Sequence, residues 1–318
     1  MELNEIRQSL MAKIKTLNET LWERRATEPV IESWLENFSG TTADRAKEQL
    51  HALFLLSNFM YIGSRQIREL LKALYRDLYR YPIVSAIRRA NKDTLDSSLI
   101  DTAYRTELLA SRFFGVGNPS ESGCHLLYYF RQENGLPKDL FMHSHQIFLR
   151  SGSGTRVLRD PHITRYVFID DFCGSGKQGT AYSKDIVEDI KSLAPKAMVA
   201  YYVLFATTDG ISKVKTQTKF DDAQAIFELD PSFKCFSADS RFFRSTLADI
   251  DKSFCMQMCR AYGNTLVPTP HALGYDDSEL LIGFHHNTPD NTLPIIWYDE
   301  PDMTAWRPIF RRYPKLEW

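Results

Sequence analysis

The sequence has no run of about 18 apolar residues, so hydropathy offers no membrane-spanning helix. Nor does it have an excess of one charge: 39 Lys and Arg face 40 Asp and Glu, a formal net charge of −1. No global field therefore draws the chain to nucleic acid or anionic lipid, although a local basic patch stays possible. Cysteine is scarce and odd in number, five at irregular spacing, which fits reduced thiols rather than a disulfide framework. Met1-Glu2-Leu3-Asn4-Glu5 does not show the basic-then-apolar layout of a secretory signal. Internal repeats and low-complexity tracts are missing too. The expectation is a soluble cytoplasmic protein. At 318 residues it has room for two domains, or one large domain with an extension.

What is present begins as helix. Leu3, Ile6, Leu10, Ile14, Leu17 and Leu21 recur at three- and four-residue steps and make one apolar stripe. Thr41-Thr42 offer a cap for a second helical segment through Leu53–Leu56 and Phe59–Ile62. Ile67, Leu70, Leu71, Leu74 and Leu78 repeat the pattern, which Pro82 is expected to close. The opposite face of that segment carries Arg65, Arg68, Lys72, Arg76 and Arg80, read as a solvated face before a partner surface. These residues form an α-helical N-terminal region, 1–100.

Beyond about residue 105 the pattern changes. Gly115-Val116-Gly117-Asn118-Pro119-Ser120 is a turn-rich break, and His125–Arg131 fits a helix stopped at Asn134-Gly135-Leu136-Pro137. Phe141–Leu149 could form a strand, and 151–164 reads as a flexible loop. Tyr166-Val167-Phe168-Ile169 is a short β-rich run feeding into Asp170-Asp171-Phe172-Cys173-Gly174-Ser175-Gly176-Lys177-Gln178. Ile186, Val187, Ile190 and Leu193 mark a helix, and Met198–Ala206 is a continuous apolar run suited to a strand buried on both faces. Strand, glycine loop, helix and strand make a βαβ unit. Further strands are expected near 225–229, 280–284 and 293–297. The fold class is therefore α/β, with 101–318 as one domain built on a mostly parallel sheet flanked by helices.

A glycine loop between a strand and a helix has a definite chemical use. The first N–H groups of the helix lack partners and sit at the positive end of its dipole, so they receive phosphate. Gly174 and Gly176 let the backbone fold around the anion, and Ser175 adds a hydroxyl. The carboxylates of Asp170 and Asp171 would meet what hangs from that phosphate: paired ribose hydroxyls, or a bridging Mg²⁺. A Walker-type loop needs Gly-x-x-x-x-Gly-Lys-Ser/Thr. Gln178 stands where the hydroxyl residue belongs and Asp171 where the first Gly belongs, so that reading fails twice. A plain helix cap would be an expensive use of two adjacent acids at the end of a buried strand.

The run Tyr166–Asp171 followed by Gly174-Ser175-Gly176 resembles the signature of the phosphoribosyltransferase superfamily: four hydrophobic residues, two acids and a small-residue loop. Residues 115–123 sit where that superfamily places its pyrophosphate loop, and 151–164 where it places a mobile hood. The chain is more closely similar to a divergent phosphoribosyltransferase-like branch found in bacterial conflict systems, retron-associated ones included. That similarity lies in Phe130–Pro137, Phe168–Gln178, His286–Pro294 and the helical region around Tyr61–Tyr79.

The resemblance implies phosphoribosyl pyrophosphate or a nucleotide as ligand, Mg²⁺ as cofactor, and transfer or cleavage of a ribosyl group. Asp170 and Asp171 would be the catalytic and metal-holding acids. The ligand-binding set would be Gly174, Ser175, Gly176, Lys177, Gln178, Gly115, Gly117, Arg112 and Arg156. Residues 115–123 hold no Lys or Arg, so Arg112 just before them stands in, with Arg156 and Arg159 in the hood. The same resemblance implies an antiphage effector working with protein and nucleic-acid partners, a reverse transcriptase with its DNA or RNA. The alternative is a catalytically inactive nucleotide-binding sensor or scaffold. Neither acceptor nor nucleophile follows from the residues.

Other constellations read as structure first: Cys255 and Cys259 as buried thiols, His143 and His145 as a packed or surface pair, and the basic-aromatic run 306–315 as a packed tail before a base-stacking one. Cys173, near a helix start where thiol pKa can fall, is a secondary nucleophile candidate.

Overall fold

The structure is a computed structural model that describes residues 3–117, 122–152, 154–244, 249–299 and 306–313. In chain order, three helices come first: α1 (Leu3–Thr20), α2 (Glu28–Leu35) and α3 (Arg45–Ser57). A short strand β1 (Met60–Ile62) precedes one long helical run made of α4 (Ser64–Ala73), a π-helical stretch (Leu74–Arg80) and α5 (Tyr81–Ala90). Next are α6 (Ser97–Leu109), β2 (Ser111–Gly115), α7 (Ser122–Glu133), β3 (Phe148–Arg150), β4 (Arg156–Leu158) and β5 (Arg165–Cys173). A second helical run joins α8 (Lys177–Tyr182), a π stretch (Ser183–Val187) and α9 (Glu188–Leu193). The rest is β6 (Met198–Thr207), α10 (Thr208–Gln217), β7 (Asp222–Leu229), α11 (Lys252–Leu266), β8 (Ile282–Phe284) and α12 (Pro294–Trp297).

By compactness the chain forms two units, residues 67–229 and residues 1–66 with 230–318. The sequence pattern draws its division near residue 100 instead. That division follows where helical grammar ends, whereas compactness follows what packs on what.

The unit of residues 67–229 holds a parallel sheet in the order β2-β5-β6-β7. Phe141 adds a single parallel bridge to Phe113, on the edge of β2 that β5 does not use. From β2 the chain thus passes through α7 to one side, then returns to the other side as β5. Phe113 and Phe130 of α7 meet at 5.2 Å on one face, and Phe114 and Phe168 stack at 5.0 Å on the opposite face. There the second π stretch, α9 and α10 bury Val187, Ile190, Ile211 and Val214 against Tyr166, Val199, Tyr201 and Val203. The reversal of direction between β2 and β5 is a topological switch point, and open α/β sheets bind ligands outside the strand carboxyl ends at such a point.

In the other unit α1 buries Ile6, Leu10 and Ile14, the stripe read from the sequence. One core takes in Trp34, Leu53, Phe59, Met258, Ile296 and Phe310. The Trp34 indole N–H donates to the Ile295 carbonyl at 2.8 Å. The tail 306–313 packs here: Phe310 stacks on Phe59 at 4.6 Å, and Arg312 bonds the Thr288 carbonyl.

Several expectations are corrected. The cap of α3 is Asp44, whose carboxylate accepts the Lys47 N–H at 3.0 Å, rather than Thr41-Thr42. The loop of Thr41-Thr42 is occupied otherwise, since the Thr42 N–H and hydroxyl both donate to Glu48. Residues 60–62 are a strand and do not continue a helix, because Met60–Ile62 pair in parallel with Ile282–Phe284. Pro82 does not end its helix. It stands in the first turn of α5, and the preceding π stretch, in which the Tyr81 N–H reaches back to Arg76, widens the turn that meets its ring. Of the strand expected over 141–149 only its end is regular, as β3, and β4 pairs with it as a hairpin inside 151–164, where a flexible loop was expected. The late strands do not extend the sheet: β8 pairs only with β1, and 294–297 is a helical turn begun by Pro294.

Candidate functional site

β5 runs past Ile169 and takes in both acids, because its partner β6 is ten residues long and holds it through Cys173. Side chains alternate along a strand, so Asp170 falls on the face of Phe168, beneath the helices. Asp170 is 3% exposed and Asp171 8%. The Tyr201 hydroxyl donates to Asp170 Oδ2 at 3.0 Å, and the Asp171 N–H donates to Asp170 Oδ1 at 3.0 Å. Burial, and then the neighbouring Asp171 carboxylate, push the Asp170 carboxyl well above the ordinary carboxylate range, against the pull of the Tyr201 bond.

The loop after β5 is built by close approach. Gly176 is left-handed, φ +75°, and a Cβ there would meet the Gly210 carbonyl at 2.7 Å. A Cβ on Gly210 would meet the Gly174 carbonyl at 2.2 Å. Thr207 fixes this junction: its hydroxyl donates to the Gly174 carbonyl at 2.6 Å and accepts the Gly210 N–H at 2.9 Å. The Thr180 hydroxyl bonds the Gly176 carbonyl at 2.9 Å, and Lys177 and Gln178 open the exposed start of α8. The Ser175 hydroxyl lies 3.5 Å from the Lys177 N–H.

Beside it stands the end of β2. Gly115 pairs with Ile169, and the Val116 N–H donates to the Ile169 carbonyl at 3.0 Å, which brings Gly117 (φ +95°) level with the acid pair. A Cβ on Gly123 would lie 2.2 Å from the Val116 carbonyl, so α7 starts directly over the strand end. Asn118–Glu121 of the expected pyrophosphate loop lie outside the described residues. Gly115, Gly117, Asp170, Asp171 and Gly174–Gln178 thus gather at the carboxyl ends of two adjacent strands.

The two arginines are not brought there. Arg112 is level with Tyr166, seven residues short of Cys173, or about 23 Å at strand rise. Its guanidinium bonds the Leu109 and Ser111 carbonyls and pairs with Asp160 at 3.5 Å. Arg156, on β4, lies over the Phe148 ring at 4.3 Å and pairs with Asp189 of α9. Cys173 does not meet the needs of a nucleophile, because burial and then the Asp170 charge push its thiol up to about 12.

The sequence reading missed Thr207, Gly210 and Lys213, which the β6–α10 turn sets against the loop. A Cβ on Gly176 would lie 3.3 Å from that of Lys213. The signal was available: an apolar run ending in Thr207-Thr208-Asp209-Gly210 is a strand followed by a capped helix.

Mg²⁺ must be tested against these residues. Among the described residues no three His, Cys, Asp or Glu side chains converge as a cage. Mg²⁺ needs no such cage when it arrives on phosphate oxygens and takes one or two carboxylates from the protein. The acid pair fits that lesser demand.

A parallel sheet flanked by helices, with strand-loop-helix turns converging at its switch point, defines a phosphoribosyltransferase-like α/β protein with an α-helical N-terminal region. The PRTase-CE family matches residues 31–312, so the chain belongs to that family, a phosphoribosyltransferase-like domain of conflict-system type. No curated protein matches the chain. Among solved structures it is similar to the Helicobacter pylori xanthine-guanine-hypoxanthine phosphoribosyltransferase, at 9% identity and a TM-score of 0.30, over 54% of this chain and 89% of that one. It is also similar to a purine phosphoribosyltransferase from Pyrococcus horikoshii, at 15% identity and a TM-score of 0.24, over 54% and 91% respectively. Among the described residues no helix is long and apolar enough to cross a membrane.

Proposed function

We propose that the crevice outside β2 and β5 binds phosphoribosyl pyrophosphate or a nucleotide, and that the protein transfers or cleaves a ribosyl group as an effector of a retron-type antiphage system. The observation that carries this reading is the gathering of the 174–178 loop, the acid pair and the Gly115–Gly117 turn at one switch point. The loop amides and the hydroxyl of Ser175 would hold the 5′-phosphate, with Lys177 and Lys213 supplying positive charge beside it. Asp171 would accept hydrogen bonds from the ribose hydroxyls, and Asp170 would support it from below. Mg²⁺, when bound, would neutralise charge on the pyrophosphate. Departure of a leaving group from the anomeric carbon leaves an oxocarbenium-like centre, so an adjacent carboxylate and rigid positioning supply the catalysis. The effector would be held inactive by protein and nucleic-acid partners.

A second reading, a catalytically inactive sensor or scaffold, draws support from Arg112 and Arg156. Both are paired elsewhere, and the crevice gains no arginine from either. Thermal unfolding with and without phosphoribosyl pyrophosphate and Mg²⁺ tests binding. Ligand at about 100 times Kd stabilises the folded state by about 2.7 kcal/mol. The wild type is expected to rise in Tm and Asp171→Asn to lose the rise; no rise with this ligand or with common nucleotides would refute the binding reading. Ribose release or transfer, lost in Asp171→Asn, separates an enzyme from a sensor.

A further inference from the structure

Tyr201 sits in the middle of β6, 1% exposed and opposite Phe168 in the register. Its hydroxyl reaches forward along the sheet to Asp170 Oδ2 at 3.0 Å, and Cys173 at the end of β5 is its electrostatic neighbour. Above it a Cβ on Gly179 of α8 would lie 3.8 Å from the hydroxyl-bearing ring carbon. One buried tyrosine therefore bonds the first acid of the signature, neighbours the last residue of β5 and lies under the helix that follows. These three points bracket residues 174–176. Below, the Tyr201 ring is packed against Phe220 at 5.5 Å. The hydroxyl has one proton to donate, and Asp170 Oδ2 takes it.

We infer that Tyr201 is a positioning residue for the loop: it ties Asp170 to β6 and so holds the backbone of 174–176 in its anion-receiving shape before any ligand arrives. On this inference Asp170 serves the site from beneath, and Asp171 is the acid presented to the crevice. The ligand half of the inference rests on the ribose-phosphate reading above; the structural half does not. Sequence alone could not find it, since Tyr201 is one aromatic residue in an apolar run and its partners are some 30 residues away.

Hydrogen–deuterium exchange of the ligand-free protein reads the tie directly. In Tyr201→Phe the amides of residues 173–177 are expected to exchange about tenfold faster than in the wild type, as for loss of one buried hydrogen bond. Amides at the start of β6 (198–200) should hold. Asp170→Asn keeps an acceptor for the tyrosine hydroxyl and is expected to keep the loop protected, whereas Asp170→Leu should match Tyr201→Phe. If Tyr201→Phe does not fold, the Asp170→Asn and Asp170→Leu pair asks the same question. Equal loop protection in wild type and Tyr201→Phe, or equal protection in the two Asp170 variants, overturns the inference. So does faster exchange spread evenly over β5 and β6. In parallel, the Kd for phosphoribosyl pyrophosphate with Mg²⁺ should rise about tenfold in Tyr201→Phe. Failure of the wild type to bind would remove the ribose-phosphate reading and leave the exchange result to decide the tie.

Discussion

Glu48 is fully buried on α3, yet its carboxylate is surrounded by donors. Thr42 gives its N–H at 2.6 Å and its hydroxyl at 2.8 Å, Gly40 its N–H at 2.8 Å, and Tyr262 its hydroxyl at 2.5 Å. Burial works to raise its pKa, but the bonds from Tyr262, Thr42 and Gly40 prevail and hold it below the usual carboxylate value. Since the folded value is the lower one, the stabilisation is complete above the unfolded carboxylate pKa and is lost as pH falls through the folded one. Glu48→Ala leaves these donors without an acceptor and is expected to cost about 3 kcal/mol at pH 7. Urea unfolding of wild type and variant should show the gap narrowing as the pH drops through the acid range. At the site the comparable single atoms are the missing Cβ atoms of Gly176 and Gly210. Gly210→Ala would drive a methyl into the Gly174 carbonyl, and about 2 kcal/mol or more of lost stability is expected from its thermal unfolding. At this scale the acids and loop glycines were legible, because a motif is written in consecutive residues. Tyr201 and Lys213 were not, because what they meet comes from distant segments, nor was the pairing of Glu48 with Tyr262, 214 residues on.

The elements read most easily from the sequence were those with a long period and a clean stop. The stripe Ile6–Leu10–Ile14 gave α1, and Gly135 (φ +59°) followed by Pro137 ended α7 as expected. The apolar run 198–206 gave β6 because a strand covered on both faces needs no polar alternation. What failed were short pieces whose state is set by their neighbours. Residues 60–62 are strand and not helix because 282–284 supply their ladder, and 282–284, a strand as expected, pair there and do not extend the sheet. The helical run through Pro82 survives because a π stretch precedes it, a feature with no sequence period of its own. The turn into α10 belongs to this scale too. Thr207 caps that helix through Gly210 and also holds the Gly174 carbonyl, so two elements share one hydroxyl. Thr207→Val keeps the shape and removes both bonds, with an expected loss of about 2 kcal/mol in denaturant unfolding. Thr207→Ser should recover most of it, which would separate the hydroxyl from the methyl.

For the whole molecule, the order of the chain and the order of packing disagree, and that disagreement makes a prediction. Composition invites a cut near residue 100, giving a helical piece and an α/β piece of 101–318. Such a cut strips the π stretch 74–80, with α4 and α5 on either side, from the sheet it packs with. The Tyr79 hydroxyl donates to Ser111 at 2.8 Å and its ring meets Phe113 at 5.0 Å, so β2 would lose part of the cover of one face. It also removes β1 from β8, and α3 from the core that holds Met258 and Ile296. Residues 67–229, by contrast, are one continuous stretch containing the four-stranded sheet, α4 to α10 without Ser64–Gln66, the glycine loop and the acid pair. Expressed alone, 67–229 is expected to unfold cooperatively on heating and to keep a near-ultraviolet circular dichroism signal from its packed tyrosines. The 101–318 fragment is expected to show helical signal without a cooperative transition. If 101–318 melts sharply and 67–229 does not, packing within residues 67–229 is too weak to stand by itself. The helices before residue 100 would then be an extension the sheet can lose. The expected result would mean instead that α4 to α6 are part of the body that carries the glycine loop and the acid pair, and that their basic face travels with it.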